Sequence, residues 1–227
     1  MEKLLSSLKI EVNPLIFLKN PESSELGKKI LSTAVIMIDE MGMEQFTFGK
    51  LAKVLGTTES SIYRYFESKH KLLLYFYNWY WAWVEYQIVF ATKNVSPSAN
   101  RLKIALDILC LQEKQEHEEE GISMIHLKNI VISESSKAYL NKEVDVENKA
   151  GFFLSFEKVV KILAIIIEDI DHNYPYPNTL VSTCLEGILH QQYFAKHLPS
   201  LSDVCKDTGK LPEIFYQIII NNLNQKK

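Results

Sequence analysis

The apolar positions of this chain recur at helical spacing almost throughout. Leu26, Ile30, Ala34, Met37 and Met41 follow one another at intervals of four and three, which lays them along one face of a helix. Asn20-Pro21-Glu22 supplies a start: a capping side chain, a proline at the first helical position and an acid near the positive end of the dipole. Gly42 stands where a left-handed stop is expected. The pattern then predicts a short second helix capped by Thr47, with Phe48, Leu51, Ala52 and Leu55 inward, Phe46 and Leu51 as a hydrophobic staple, and Gly56 at its end. Thr58 caps a third helix that turns Ile62 and Phe66 to one side, and Ser68 caps a fourth. Short helices joined by a tight glycine-containing turn describe a helix-turn-helix unit.

Further along, 99–111 is amphipathic and 112–120 (QEKQEHEEE) is a solvated acidic stretch. Residues 121–132, 151–170, 179–198 and 211–223 carry helical patterns, with a loop over 171–178 holding Pro175 and Pro177. Leu8, Ile10 and Val12 alternate with other residues in a weak strand-like pattern. The expected fold class is all-α.

Composition narrows the possibilities. The 227 residues are 47% hydrophobic and 23% charged, which excludes a disordered chain. The net charge of -3 does not advertise a nucleic-acid binder, but residues 25–71 carry +1 and the remainder -4. Cys110, Cys184 and Cys205 show no metal or disulfide spacing, which points to a reducing cytoplasm. The N-terminus lacks the features of a secretion signal. Residues 72–91 (LLLYFYNWYWAWVEYQIVFA) have the length of a membrane span. Tyr and Trp favour membrane interfaces rather than the centre, and Asn78, Glu85 and Gln87 interrupt the run, so a buried soluble helix is expected and no membrane is.

The third helix has the two faces a recognition helix needs. Ile62 and Phe66 can anchor, while Ser60, Ser61, Tyr63 and Arg64 can face phosphates and base edges. Thr47 and Thr58 add hydroxyls at helix starts, and Lys50 and Lys69 add cations nearby. Phe46-Thr47-Phe48-Gly49-Lys50-Leu51-Ala52, Leu55-Gly56-Thr57-Thr58, Ser61-Ile62-Tyr63-Arg64-Tyr65-Phe66 and Ser68-Lys69-His70-Lys71-Leu72-Leu73 stand in an order and spacing that resemble the DNA-binding domain of TetR-type regulators.

The resemblance covers about 22–75. It implies an N-terminal three-helix helix-turn-helix domain over 20–70, after an arm over 1–19, and a C-terminal helical ligand-binding and dimerisation domain over 71–227. It implies a cytoplasmic homodimer on a palindromic double-stranded DNA operator, released by a small effector. Thr47, Tyr63 and Lys69 would contact phosphates, with Lys50 and Thr58 beside them; Ser60, Ser61 and Arg64 would face bases. Glu59 and Ser60 depart from the family pattern, since an acid at 59 repels phosphate unless it accepts from a cytosine amine.

The aromatic block offers candidate ligand contacts in Tyr77, Trp81, Trp83, Tyr86 and Phe90, suited to an apolar or aromatic effector. Val181, Leu185, Ile188, Gln192, Phe215, Ile218 and Ile219 are candidate dimer contacts on the last two helices. Glu186 and His190 sit one turn apart, and Glu67-x-x-His70 has di-iron spacing, but neither makes a metal set alone. No cofactor or metal is expected. A helical binding protein without operator binding and an all-α enzyme are the alternatives. The enzyme would need convergent acid–base or metal groups, which the chain does not display.

Overall fold

The computed structural model describes residues 10–110, 118–119, 121–205 and 207–223. Among them are ten α-helices and one short hairpin. The helices are α1 (Glu25–Gln45), α2 (Phe48–Leu55), α3 (Glu59–Tyr63), α4 (Lys69–Thr92), α5 (Ser98–Cys110), α6 (Met124–Tyr139), α7 (Val144–Lys149), α8 (Leu154–Ile170), α9 (Pro177–His197) and α10 (Leu211–Leu223). The hairpin pairs β1 (Glu118–Glu119) with β2 (Ile122–Ser123), antiparallel. Most of the acidic 112–120 run lies outside the described residues. No helix among the described residues is long and apolar enough to cross a membrane.

Helix α1 begins later than the Asn-Pro-Glu signal suggests. Asn20 caps a single 3-10 turn, Pro21–Ser23, by accepting from the Glu22 N–H at 2.9 Å. The α-helix starts at Glu25, where Ser24 Oγ accepts from the Gly27 N–H at 3.2 Å. The turn lies so close to the helix that a Cβ on Gly27 would fall 2.1 Å from the Pro21 carbonyl oxygen. Gly42 takes the left-handed region (φ 74°) but breaks the helix rather than ending it, and one more turn runs to Gln45. The strand-like 8–12 pattern does not form a strand: 10–12 carry no regular structure, and Leu8 lies outside the described residues. Ile10 is nevertheless buried, and the Leu18 N–H ties the arm to the Tyr65 carbonyl at 2.8 Å.

The chain divides into two compact units. The first comprises the described parts of Met1–Ala82 and Glu113–Leu154. Its core holds Ile30, Ala34, Val35 and Ile38 of α1 with Phe46, Leu51, Ile62 and Phe66, all essentially inaccessible. Polar bonds join α6 to α1 within this unit. Asp39 Oδ2 meets His126 Nδ1 at 2.7 Å and accepts from Asn129 at 2.9 Å. Glu134 Oε1 accepts the Met43 N–H, just past the Gly42 break, at 3.2 Å. Lys137 bridges Glu134 at 2.5 Å and Glu44 at 2.6 Å. Burial alone would lower the Lys137 pKa, but the two carboxylates outweigh it and hold the ammonium above its ordinary value.

The second unit comprises the described parts of Trp83–Gln112 and Ser155–Lys227. Here α5, α8, α9 and α10 pack around Leu102, Leu106, Leu163, Leu185, Ile188 and Ile219. Helices α9 and α10 approach closely at Gly187, where a Cβ would meet the Phe215 ring at 3.1 Å. Arg101 pairs with Asp169, and the Lys103 ammonium lies 4.6 Å from the Tyr216 ring centroid.

Gly27→Ala tests the entry to α1. Alanine favours a helix interior by about 1 kcal/mol, but its Cβ would collide with immobile backbone, a conflict that costs about 1–3 kcal/mol or more. The expected outcome is a melting temperature lowered by several degrees in a thermal scan.

Candidate nucleic-acid interface

Helix α3 has five residues and is held at its start and by its buried side. Gly56 (φ 63°, ψ 33°) makes the turn out of α2, which suits glycine's freedom in the left-handed region. Thr58 Oγ1 accepts the Ser61 N–H at 3.3 Å, and Ile62 and Phe66 are fully buried. Thr47, Lys50, Thr58, Ser60, Tyr63 and Arg64 are exposed on or beside α2 and α3, with Ser61 half-buried. Tyr63 is 46% exposed, its ring set edge-on to Phe48 at 5.0 Å. Thr58 Oγ1 lies 2.9 Å from the hydroxyls of both Ser60 and Ser61, forming a small hydroxyl cluster. Of the eight residues expected at DNA, Thr58, Ser60 and Ser61 are joined by their hydroxyls and Tyr63 touches α2 through Phe48, and the eight differ in readiness.

The two lysines are already engaged. Lys69 Nζ donates to the Met43 carbonyl at 2.6 Å and the Phe46 carbonyl at 3.4 Å. Lys50 Nζ donates to the Gln45 carbonyl at 2.7 Å. Both cap the otherwise unpaired C-terminal carbonyls of α1, and a phosphate would compete with those bonds. Arg64 has no ion pair among the described residues. Glu59, the first residue of α3, is also exposed and unpaired among them, and its carboxylate leans onto α2. Its Oε2 lies 3.4 Å from where a Cβ would stand on Gly49.

Three contributors were not evident from the sequence. Tyr65, two residues beyond α3, is buried, its hydroxyl bonded to Ser24 Oγ at 2.8 Å and to Lys19 Nζ at 3.4 Å. The Ser24 bond, then the Lys19 cation, draw its pKa below the usual phenol value. Glu134, which accepts the Met43 N–H at the α1 break, and Lys137, which pairs with the Glu44 carboxylate beside it, lie more than 90 positions along the chain from those partners. Only long-range contact reveals them.

The candidate ligand residues are not brought together. Tyr77 and Trp81 are buried in the first unit, where Tyr77 packs against Trp81, Tyr139 and Phe153 at 6.1–6.3 Å. Trp83, Tyr86 and Phe90 belong to the second unit; Trp83 is half-buried, Tyr86 is 37% exposed and Phe90 is 40% exposed. Residues 77 and 86 are about two and a half turns apart along α4, so they project from opposite sides of that helix. The second unit holds a separate apolar cavity of about 10 Å³, walled by leucines, Val181, Cys184, Ile188 and Ile219. That is the size of one water.

The dimer set needs a similar correction. Val181, Leu185, Ile188, Gln192, Phe215 and Ile219 are buried within their own chain. They form the inner faces of α9 and α10, and an apolar stripe does not itself say which partner it packs on. Ile218 alone of the set is on the surface, at 42% exposure, with Ile214 one turn before it at 38%. On α9 the exposed side carries His190, stacked on half-buried Phe194 at 5.9 Å. Among the described residues no group of three or more His, Cys, Asp or Glu is arranged to hold a metal.

Residues 30–76 match the family described as bacterial regulatory proteins, tetR family. Sixty residues, 26% of this chain, are 35% identical to the nucleoid occlusion factor SlmA of Haemophilus ducreyi. The match spans 30% of the length of that curated relative. Two solved structures share the fold at low identity. AibR, in complex with isovaleryl coenzyme A and operator DNA, aligns with a TM-score of 0.61 at 16% identity, covering 84% of this chain and 97% of its own. The superantigen PfiT aligns with a TM-score of 0.59 at 14% identity, covering 92% and 100%.

Proposed function

We propose that this chain, whose residues 30–76 carry a tetR-family regulatory domain, is a cytoplasmic, ligand-responsive transcriptional regulator that binds a palindromic operator as a homodimer, usually to repress. The observation that carries the reading is the exposed patch of Tyr63, Arg64 and the Thr58–Ser60–Ser61 hydroxyls, mounted on a recognition helix anchored by Ile62. Tyr63, Thr47 and Thr58 contact phosphates; Ser60, Ser61 and Arg64 face bases. Lys50 and Lys69 exchange a backbone carbonyl for a phosphate on binding. The protein acts without catalysis. AibR, crystallised with an acyl coenzyme A and operator DNA, supports a small effector for this fold. Effector binding displaces α4, and two recognition helices lose the separation of about 34 Å that one DNA turn requires.

Fluorescence anisotropy on DNA from upstream of the protein's own gene, with salt titration and random competitor, tests this. Sequence-selective binding is expected. Arg64→Ala should weaken it by about 5- to 150-fold if the guanidinium reads a guanine, and Tyr63→Phe by about fivefold for one lost hydrogen bond. Binding no better than to random DNA, indifferent to both changes, would favour a second reading, a helical protein that acts through partners. The unpaired Glu59 motivates that reading, as does a fold shared with a superantigen, since fold alone does not fix function.

Dimerisation uses the outer faces of α9 and α10: Ile214, Ile218, His190 and Phe194 rather than the buried stripe. Sedimentation equilibrium should show a dimer whose dissociation constant rises at least about tenfold in Ile218→Glu, because a carboxylate desolvated in an apolar seam costs more than about 1.4 kcal/mol. An unchanged constant would place the interface elsewhere.

A further inference from the structure

We propose that Glu59 is a specificity-determining residue, its carboxylate accepting a hydrogen bond from the N4 amine of an operator cytosine. The inference rests on the DNA-binding reading above. Glu59 is the first residue of the recognition helix, and residues near the start of such a helix are those that meet base edges in the major groove. It is exposed, and no lysine or arginine pairs with it among the described residues. Two neighbouring cations, Lys50 and Lys69, are turned onto the carbonyls of Gln45, Met43 and Phe46.

The carboxylate is nevertheless positioned. Its Oε2 and Cδ lie 3.4 Å and 3.8 Å from the point where a side chain on Gly49 would begin. Gly49 sits in the first turn of α2, whose partial positive charge attracts a carboxylate. Glycine at 49 leaves that space open.

An ionised carboxylate can only accept hydrogen bonds. Phosphates repel it, as do the acceptors O6 and N7 of guanine and O4 of thymine. Two donors remain in the major groove, the amines of cytosine and adenine. The adenine amine stands beside the N7 acceptor, which suits the donor–acceptor pair of an amide but sets N7 against a carboxylate. Cytosine is therefore the base this side chain selects, and the departure at 59 becomes a reader rather than a defect.

The test is parallel selection from random duplex DNA with the full-length parent and Glu59→Gln, after thermal scans establish that both are equally folded. The parent pool should carry a fixed cytosine in each half-site. Replacing that cytosine should weaken parent binding by about 5- to 150-fold, the range for a good base contact. The Glu59→Gln pool should lose the cytosine and shift toward adenine, which an amide can engage at two atoms. If the variant selects the same cytosine and binds every duplex uniformly more tightly, the carboxylate merely repels phosphate and the inference is overturned. If neither protein enriches any sequence, the operator reading fails first and takes the inference with it.

Discussion

A helix of five residues cannot stand alone. Nucleating a turn fixes several backbone dihedrals for a single hydrogen bond, so short helices in water persist only where tertiary contacts hold them. The recognition helix α3 meets that constraint with Ile62 and Phe66 fully buried, the Thr58 cap at one end, and the left-handed Gly56 setting its angle to α2. Full burial of two large apolar side chains is worth roughly 3–6 kcal/mol on transfer scales. Everything that could be read from DNA hangs on these contacts, because Ser60, Tyr63 and Arg64 face outward only while Ile62 faces in.

The next constraint lies at the end of α1. Gly42 breaks that helix just before the chain enters the helix-turn-helix, freeing backbone groups that need partners. Glu134 accepts the Met43 N–H, and Lys69 donates to the Met43 carbonyl from the other side. One peptide segment is thus gripped by α6 and by the start of α4 together. The same arrangement engages lysines that a DNA-facing surface would otherwise offer to phosphate. Sequence-independent affinity should accordingly be modest, and recognition should lean on Arg64, the hydroxyls and base contacts.

Much of the first unit was legible in the sequence because its signals are local. The caps at Thr47, Thr58 and Ser68, the turn at Gly56 and the anchors Ile62 and Phe66 each follow from residue type and spacing. The start of α1 was misplaced because Asn20 and Pro21 fit a 3-10 turn as well as a helix, and only the packing of Gly27 against Pro21 distinguishes them. The aromatic block and the last two helices were harder for a different reason. Helical periodicity reports which residues share a face, not what that face meets. Tyr77 and Trp81 became core, Tyr86 and Phe90 stayed at the surface, and Val181, Leu185 and Ile188 turned inward to α5 and α10. Side-chain bonds such as Glu134 to Met43 join positions 91 apart and leave no mark on local pattern.

The account stands on one surface, the patch built by α2 and α3, making sequence-selective contact with DNA. Amide hydrogen exchange of the full chain, with and without a saturating duplex drawn from its own selected pool, addresses that surface directly. New protection should concentrate at residues 47–50 and 58–64, while 214–218 stay unchanged by the duplex itself. Protection that misses both stretches would contradict the account, whatever the affinity measured.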